Sequence, residues 1–193
     1  MNKQIITIGR QCGSGGHIIG RELAQKLGIP FYDKEFLETE ALREEAREPS
    51  STSLLFSLAA GMYDGYFLSK PETLSPAEQA DAYLADLIRK LAAQGPCVIV
   101  GRCADFILRD RADCLRVFVH GDLEDRVQRL IAQEHLSQED AQRQIRSKDA
   151  MRARHYKFVT DQVWGRSENY HLTLDSSVLG IERCIELILA CCG

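Results

Sequence analysis

Residues 4–17 read QIITIGRQCGSGGH, a β-branched run, Gln4–Gly9, that breaks into a glycine-rich turn, Gly9–His17. Immediately after it Ile18, Ile19, Leu23, Ala24 and Leu27 recur at helical spacing and stop at Gly28. A strand, a tight glycine turn and an amphipathic helix form the opening unit of a parallel α/β sheet. The rest of the chain repeats the alternation. Ile29–Tyr32 is a short apolar run followed by a charged, helix-like stretch, Asp33–Arg47. Residues 49–76 hold PSSTS and three prolines and read as an irregular insert with some helix. Pro76 opens a helix with Ala80, Tyr83, Leu84, Leu87, Ile88 and Leu91 on one face. Gly95-Pro96 ends it and leads into a buried-strand pattern, Cys97–Val100.

Farther on, Ala104–Asp110 reads as a short helix and Leu115–His120 as a strand. Asp122 is placed to cap a helix through Ile131, and Ser137-x-x-Asp140 resembles a capping box for the next one. His171–Leu174 is the last strand, and Gly180–Cys192 closes the chain as an amphipathic helix. The pattern predicts one three-layer α/β domain over 1–193, with about five parallel strands and helices on both faces.

Composition narrows the possible partners. In 193 residues, 45% hydrophobic and 27% charged content suits a chain with a real core. A net charge of −4 argues against a general nucleic-acid binder, which needs a broadly basic face. No apolar run approaches a membrane span or a signal peptide. Seven cysteines, an odd number without CxxC pairs, point to reduced thiols and a cytoplasmic protein rather than a disulfide framework or a zinc site. Cys97 and Cys114 read as core residues, Cys191 and Cys192 as an exposed end. His120, His135, His155 and His171 lack ligand spacing, so no metal site is expected from them.

The basic residues are skewed, 17 Arg against 7 Lys, and eleven of those Arg lie between 102 and 166. Arg is favoured where a planar fork must grip phosphate or carboxylate. Residues 141–170 carry seven basic side chains against three acidic ones, whereas 31–100 carry twelve acids against six bases. The positive charge is therefore local.

A glycine turn between a first strand and a first helix directs backbone N–H groups and a helix N-terminus at one point, a natural anion site. The turn does not complete the phosphate-loop pattern G-x-x-x-x-G-K-[ST]. Arg10 stands at its first Gly, Gly16 at its Lys and His17 at its hydroxyl residue. A dinucleotide fingerprint also fails, because reading from Gly13 would require Gly at Ile18. At the end of the third strand, VIVGRCAD (98–105) sets Arg102 beside the turn, with Gly101 permitting close backbone approach. Arg146, Asp149 and Arg152 are three apart, so on a helix they share a face and Asp149 can steady both guanidiniums.

These segments together resemble the nucleoside monophosphate kinases, and most closely the cytidylate kinase-like family. IITIGRQCGSGG, IPFYDKEF, CVIVGRCADFIL, the arginines of 146–154 and LTLDSSVLGIERCIELI (172–188) occur in the family's order and spacing. The resemblance implies a P-loop kinase-type core with an acceptor-binding insert, 34–95, and an Arg-rich lid, 137–166. It implies ATP phosphates on Gly13, Ser14, Gly15 and Gly16. Arg10 or His17 is the candidate to stand in for the missing lysine. By the same carry-over, Arg102 contacts the monophosphate, Asp33 lies on the acceptor side, and Arg146, Asp149, Arg152 and Arg154 form the lid's catalytic group. Cys103 replaces the family's Asp, and Asp105 two residues on is the substitute acceptor-side carboxylate.

The implied activity is Mg²⁺-dependent transfer from ATP to a nucleoside monophosphate, CMP or dCMP first, with small nucleotides as the partners. Two other readings fit the same residues. One is a protein with the kinase fold that binds a nucleotide or phosphate with little turnover, as Gly16 would suggest. The other is a kinase for a different small acceptor, which would need a base; Asp33 and Asp105 are its candidates.

Overall fold

The computed structural model describes residues 4–47 and 76–192. Five parallel strands, β1 (Ile5–Arg10), β2 (Phe31–Tyr32), β3 (Cys97–Val100), β4 (Cys114–His120) and β5 (Leu172–Asp175), form one sheet in the order β2-β3-β1-β4-β5. Parallel strands need crossover connections, and these are the helices. They are α1 (Gly16–Leu27), α2 (Lys34–Arg47), α3 (Pro76–Gln94), α4 (Ala104–Ile107), α5 (Leu123–Glu134), α6 (Gln138–Thr160) and α7 (Ser176–Ala190). The result is the three-layer α/β arrangement predicted from the alternation.

Register explains why the central strands are mostly apolar. Ile6 and Ile8 of β1 lie level with Val98 and Val100 of β3 and with Leu115 and Val117 of β4. That face packs with Val119 and Leu174 against Ile19, Leu23 and Ala24 of α1 and Cys184, Ile185 and Ile188 of α7. Alternate residues Ile5, Thr7, Cys97, Ile99 and Cys114 face the other way and are also buried. A strand covered on both sides has no polar alternation to show. Burial pushes the Cys97 thiol up to about 11, so it behaves as a small apolar residue.

The chain divides into two compact units, 1–33 with 95–193 and 34–94. In the second unit α2 and α3 pack on each other, and Ala80, Leu84, Leu87, Ile88 and Leu91 of α3 are buried. The irregular insert expected at 49–76 lies outside the described residues except for Pro76.

Several local expectations are refined. The second strand covers only Phe31–Tyr32, and the short helix stops at Ile107. Ser137 caps α6, its Oγ accepting the Asp140 N–H at 3.1 Å. Asp122 occupies the N-cap of α5 without a side-chain cap bond. The last helix starts earlier than expected: Asp175 accepts the N–H groups of Ser177 and Val178, and Gly180 (φ 74°, ψ 165°) interrupts the helix. A glycine after an apolar strand reads as a helix start, but here it is a kink. The terminal cysteines differ from the expectation as well: Cys191 is exposed and Cys192 buried. Among the described residues, no helix is long and apolar enough to cross a membrane.

Candidate active site

The loop after β1 is held from beneath by its own side chains and by groups from two helices. Gln11 anchors it, its N–H bonding Val119 O at 3.0 Å and its Oε1 accepting the Gly121 N–H at 3.2 Å. Ser14 is buried, and its Oγ donates to Gln11 O at 2.9 Å, so this side chain closes the turn from within. Gly13 is left-handed at φ 75°, and a Cβ there would sit 2.6 Å from the Arg126 carbonyl oxygen, so the position excludes a side chain twice over. Gly15 is also left-handed and precedes the first turn of α1, whose N–H groups lack intrahelical partners. Gly16 follows it, buried, as the first residue of α1.

Asp149 of α6 ties this loop down. Its Oδ1 accepts the Cys12 N–H at 2.7 Å, and its Oδ2 accepts from Arg126 Nη1 at 2.6 Å. Arg126, 8% exposed, also donates to Cys12 O at 3.2 Å. Arg129 Nη1 donates to Gly13 O. Arg152 lies 3.7 Å from Asp149 and donates to Arg10 O at 3.1 Å. Asp149 therefore steadies Arg126 and Arg152; the expected partner Arg146 is exposed and makes no ion pair among the described residues. Arg154 is exposed on the same helix.

The geometry brings three arginines together. Arg10 at the end of β1 is pushed down to about 9 by burial and by the charges of Arg152 and Arg102. Arg102 is lowered too, chiefly by burial. It sits in a turn where Gly101 (φ 87°), Arg102 (φ 52°) and Cys103 (φ 54°) are all left-handed. Two consecutive non-glycine residues in that region are uncommon and strained. On the other side of the loop His17 Nε2 meets Asp33 Oδ2 at 2.9 Å, with its ring edge-on to Phe31. Thus Arg10, the loop, Asp33, Arg102 and Arg152 gather at the carboxyl end of the sheet, where open α/β sheets bind ligands.

Asp105 is elsewhere. It is 5% exposed and accepts the Tyr156 hydroxyl at 2.7 Å, which joins the β3–α4 turn to α6. Burial outweighs that bond and raises the carboxyl above its ordinary 3.8, while burial and Asp105 together raise Tyr156. A carboxyl raised on folding is neutral most readily in the native state, so its contribution is fullest below the unfolded value and declines as pH rises through the folded one. Asp105→Asn keeps a polar partner for Tyr156 and has no charge to bury. The variant should melt above the wild type at pH 7, with the gap closing by pH 4, as thermal melts at the two pH values will show. A gap that does not change with pH would remove the ionisable role.

The residues missed from sequence are Gln11, Arg126 and Arg129. Arg126 had one visible signal: it lies next to Val127 and one turn before Leu130, on the buried side of α5. Trp164 packs edge-on against Phe118, which also meets Tyr170. Among the described residues no group of three or more His, Cys, Asp or Glu side chains could hold a metal ion.

A family model described as "Cytidylate kinase-like family" matches residues 5–178. A cytidylate kinase of Pyrobaculum islandicum is 27% identical over 186 residues, covering 96% of this chain and 90% of that protein. Among solved structures, an uncharacterized protein from Eubacterium ventriosum superposes with a TM-score of 0.77 at 25% identity, covering 97% of each chain. A shikimate kinase from Acinetobacter baumannii gives 0.52 at 17% identity over 97% of this chain and 90% of its own, a likeness of fold alone. The sheet and its helices thus share the three-layer α/β fold of these structures.

Proposed function

The chain belongs to the cytidylate kinase-like family, and from that premise we propose that it transfers the γ-phosphoryl group of ATP to a nucleoside monophosphate, CMP or dCMP before others. The observation that carries this reading is the gathering of Arg10, Arg102 and Arg152 around the glycine-rich loop. Arg152 and Arg102 both repel the Arg10 guanidinium, and among the described residues Arg10 forms no ion pair with a carboxylate. A polyanion resolves that frustration. The residues present therefore fit the phosphates of a nucleotide.

In this reading Gly13, Ser14, Gly15 and Gly16 offer backbone N–H groups to the donor phosphates, with Arg10 and His17 beside them. Arg102 holds the acceptor phosphate, while Arg152 faces the group in transfer. Arg146 and Arg154 project from the outer side of α6 to cover the site, and Asp149 keeps loop and helix in register. Asp33 with His17 marks the acceptor side, and 34–95 is the acceptor region. Asp105 acts at a distance, by fixing Tyr156. A phosphate-monoester oxygen is already anionic near neutral pH, so transfer needs alignment and charge cancellation rather than a base. Mg²⁺ would be held mainly by nucleotide oxygens and water, with Asp33 the carboxylate at hand, and would supply further charge neutralisation. Reduced thiols and small-nucleotide substrates suit a cytoplasmic enzyme.

The test uses purified protein, ATP, Mg²⁺ and each monophosphate in turn, with diphosphate formation as the readout. Product with CMP or dCMP supports the reading; no diphosphate from any acceptor at high enzyme concentration sinks it. A melting-temperature rise with nucleotide but no product would instead favour a binding protein, which the absence of Lys at 16 motivates. One observation favours a different acceptor: the His17–Asp33 pair at 2.9 Å would serve a hydroxyl acceptor as a base. Turnover of a hydroxyl compound, lost in Asp33→Asn, would select it.

A further inference from the structure

Gly16 and Arg10 stand back to back at the end of the sheet. A Cβ on residue 16 would lie 2.5 Å from Arg10 Cβ, 3.1 Å from its Cγ and 3.4 Å from Val119 Cβ. Arg10 Cβ belongs to the strand and cannot swing aside as a flexible side-chain tip can. The space into which a residue-16 side chain must grow is thus occupied by the Arg10 stem. At the other end of the side chain, a Cβ on Gly101 would overlap Arg10 Nη1, with Cζ at 3.0 Å and Nη2 at 3.4 Å. The guanidinium rests against bare backbone at 101. Two glycines on different elements therefore make room for a single arginine.

The charge of that arginine is poorly met. Arg152 and Arg102 repel it, the field of Asp33 opposes them more weakly, and among the described residues no carboxylate pairs with it. A buried guanidinium is expensive unless an anion joins it.

We propose that Arg10 is the cation of the phosphate loop, supplied from the end of β1 in place of a lysine at the start of α1, and that Arg10 and a side chain at 16 exclude each other. The proposal rests on the donor-phosphate reading above. It adds that the two positions form one unit: the chain carries the charge at 10 with Gly at 16, or at 16 with a small residue at 10. His17 is thereby released from that role and left to Asp33.

Calorimetric titration of ADP, adenosine and inorganic tripolyphosphate into four proteins tests this: wild type, Arg10→Ala, Gly16→Lys and the double variant. Arg10→Ala should weaken both phosphate ligands about 10- to 100-fold, the worth of a charge-assisted bond, and leave adenosine unchanged. Gly16→Lys alone should also weaken them, because its stem collides with Arg10. The double variant should recover most of the loss. Tight phosphate binding by Arg10→Ala, or losses that simply add in the double variant, would overturn the proposal. Melting temperatures report folding, and if Gly16→Lys does not fold, Arg10→Ala against wild type decides alone. If wild type takes tripolyphosphate but not ADP, the nucleotide reading falls while Arg10 is still judged on that anion. If wild type takes neither, both fall.

Discussion

Replacing Arg152 with Ala should lower kcat for phosphoryl transfer by about 10³-fold, the lower end of what an arginine aimed at a transferring phosphoryl group contributes. Arg152 is the α6 arginine held inward, donating to Arg10 O and flanked by Asp149, with its side chain 26% exposed. Its neighbours on the helix, Arg146 and Arg154, are exposed. The loss should fall on kcat more than on the KM for ATP, because the interaction matters most when charge spreads over the transferring group. Arg152→Lys should recover no more than a small part, since a point charge on a flexible stem cannot reproduce a planar fork. Steady-state kinetics with ATP and the best monophosphate give the split. An unchanged kcat in Arg152→Ala would move the catalytic role to the outer arginines.

The second large effect is on stability. Asp149→Ala removes the acceptor of the Cys12 N–H and leaves Arg126, 8% exposed, as a buried charge without its carboxylate. Breaking a buried pair from one side costs about 3–5 kcal/mol. For a chain of this length that corresponds to a fall in Tm of about 6–20 °C. The double change Arg126→Met with Asp149→Leu should lose less than Asp149→Ala alone, because no charge is then stranded. Urea unfolding of the three proteins measures the difference. A loss below about 1 kcal/mol in Asp149→Ala would show that the clamp contributes little more than a surface pair.

Most of the architecture could be read from local pattern. The five strands are short runs rich in aliphatic, β-branched or aromatic residues between turn residues, and helices α1 and α3 show their buried faces in spacing alone. What escaped was relational. Asp149 was visible as the centre of an arginine ladder and does flank Arg152, but its closer partner is Arg126, 23 residues away on another helix. Helical spacing can suggest only neighbours on the same helix. Asp105 was placed on the acceptor side because it follows Arg102; the left-handed turn at 101–103 instead directs it inward to Tyr156. Three positive-φ residues in a row, two of them not glycine, have no reliable signature in sequence. Gly180 was read as a boundary and is a kink, for the related reason that glycine marks unusual backbone without saying which kind.

The strand order has a bearing on how the chain reaches this state. β1, which carries the loop, is central, and its two neighbours are β3 and β4. Its residues 5–8 pair with 97–100, and 5–10 with 114–119. On a ribosome adding roughly 5–20 residues per second, that strand emerges many seconds before either neighbour exists. Until then IITI is an unpaired, largely apolar edge, the kind of segment that associates with other chains. Contacts of such long sequence separation also make for slow folding. The sheet closes around the loop only when β4 arrives, so the glycine-rich loop, though made first, is among the last segments to gain its native support.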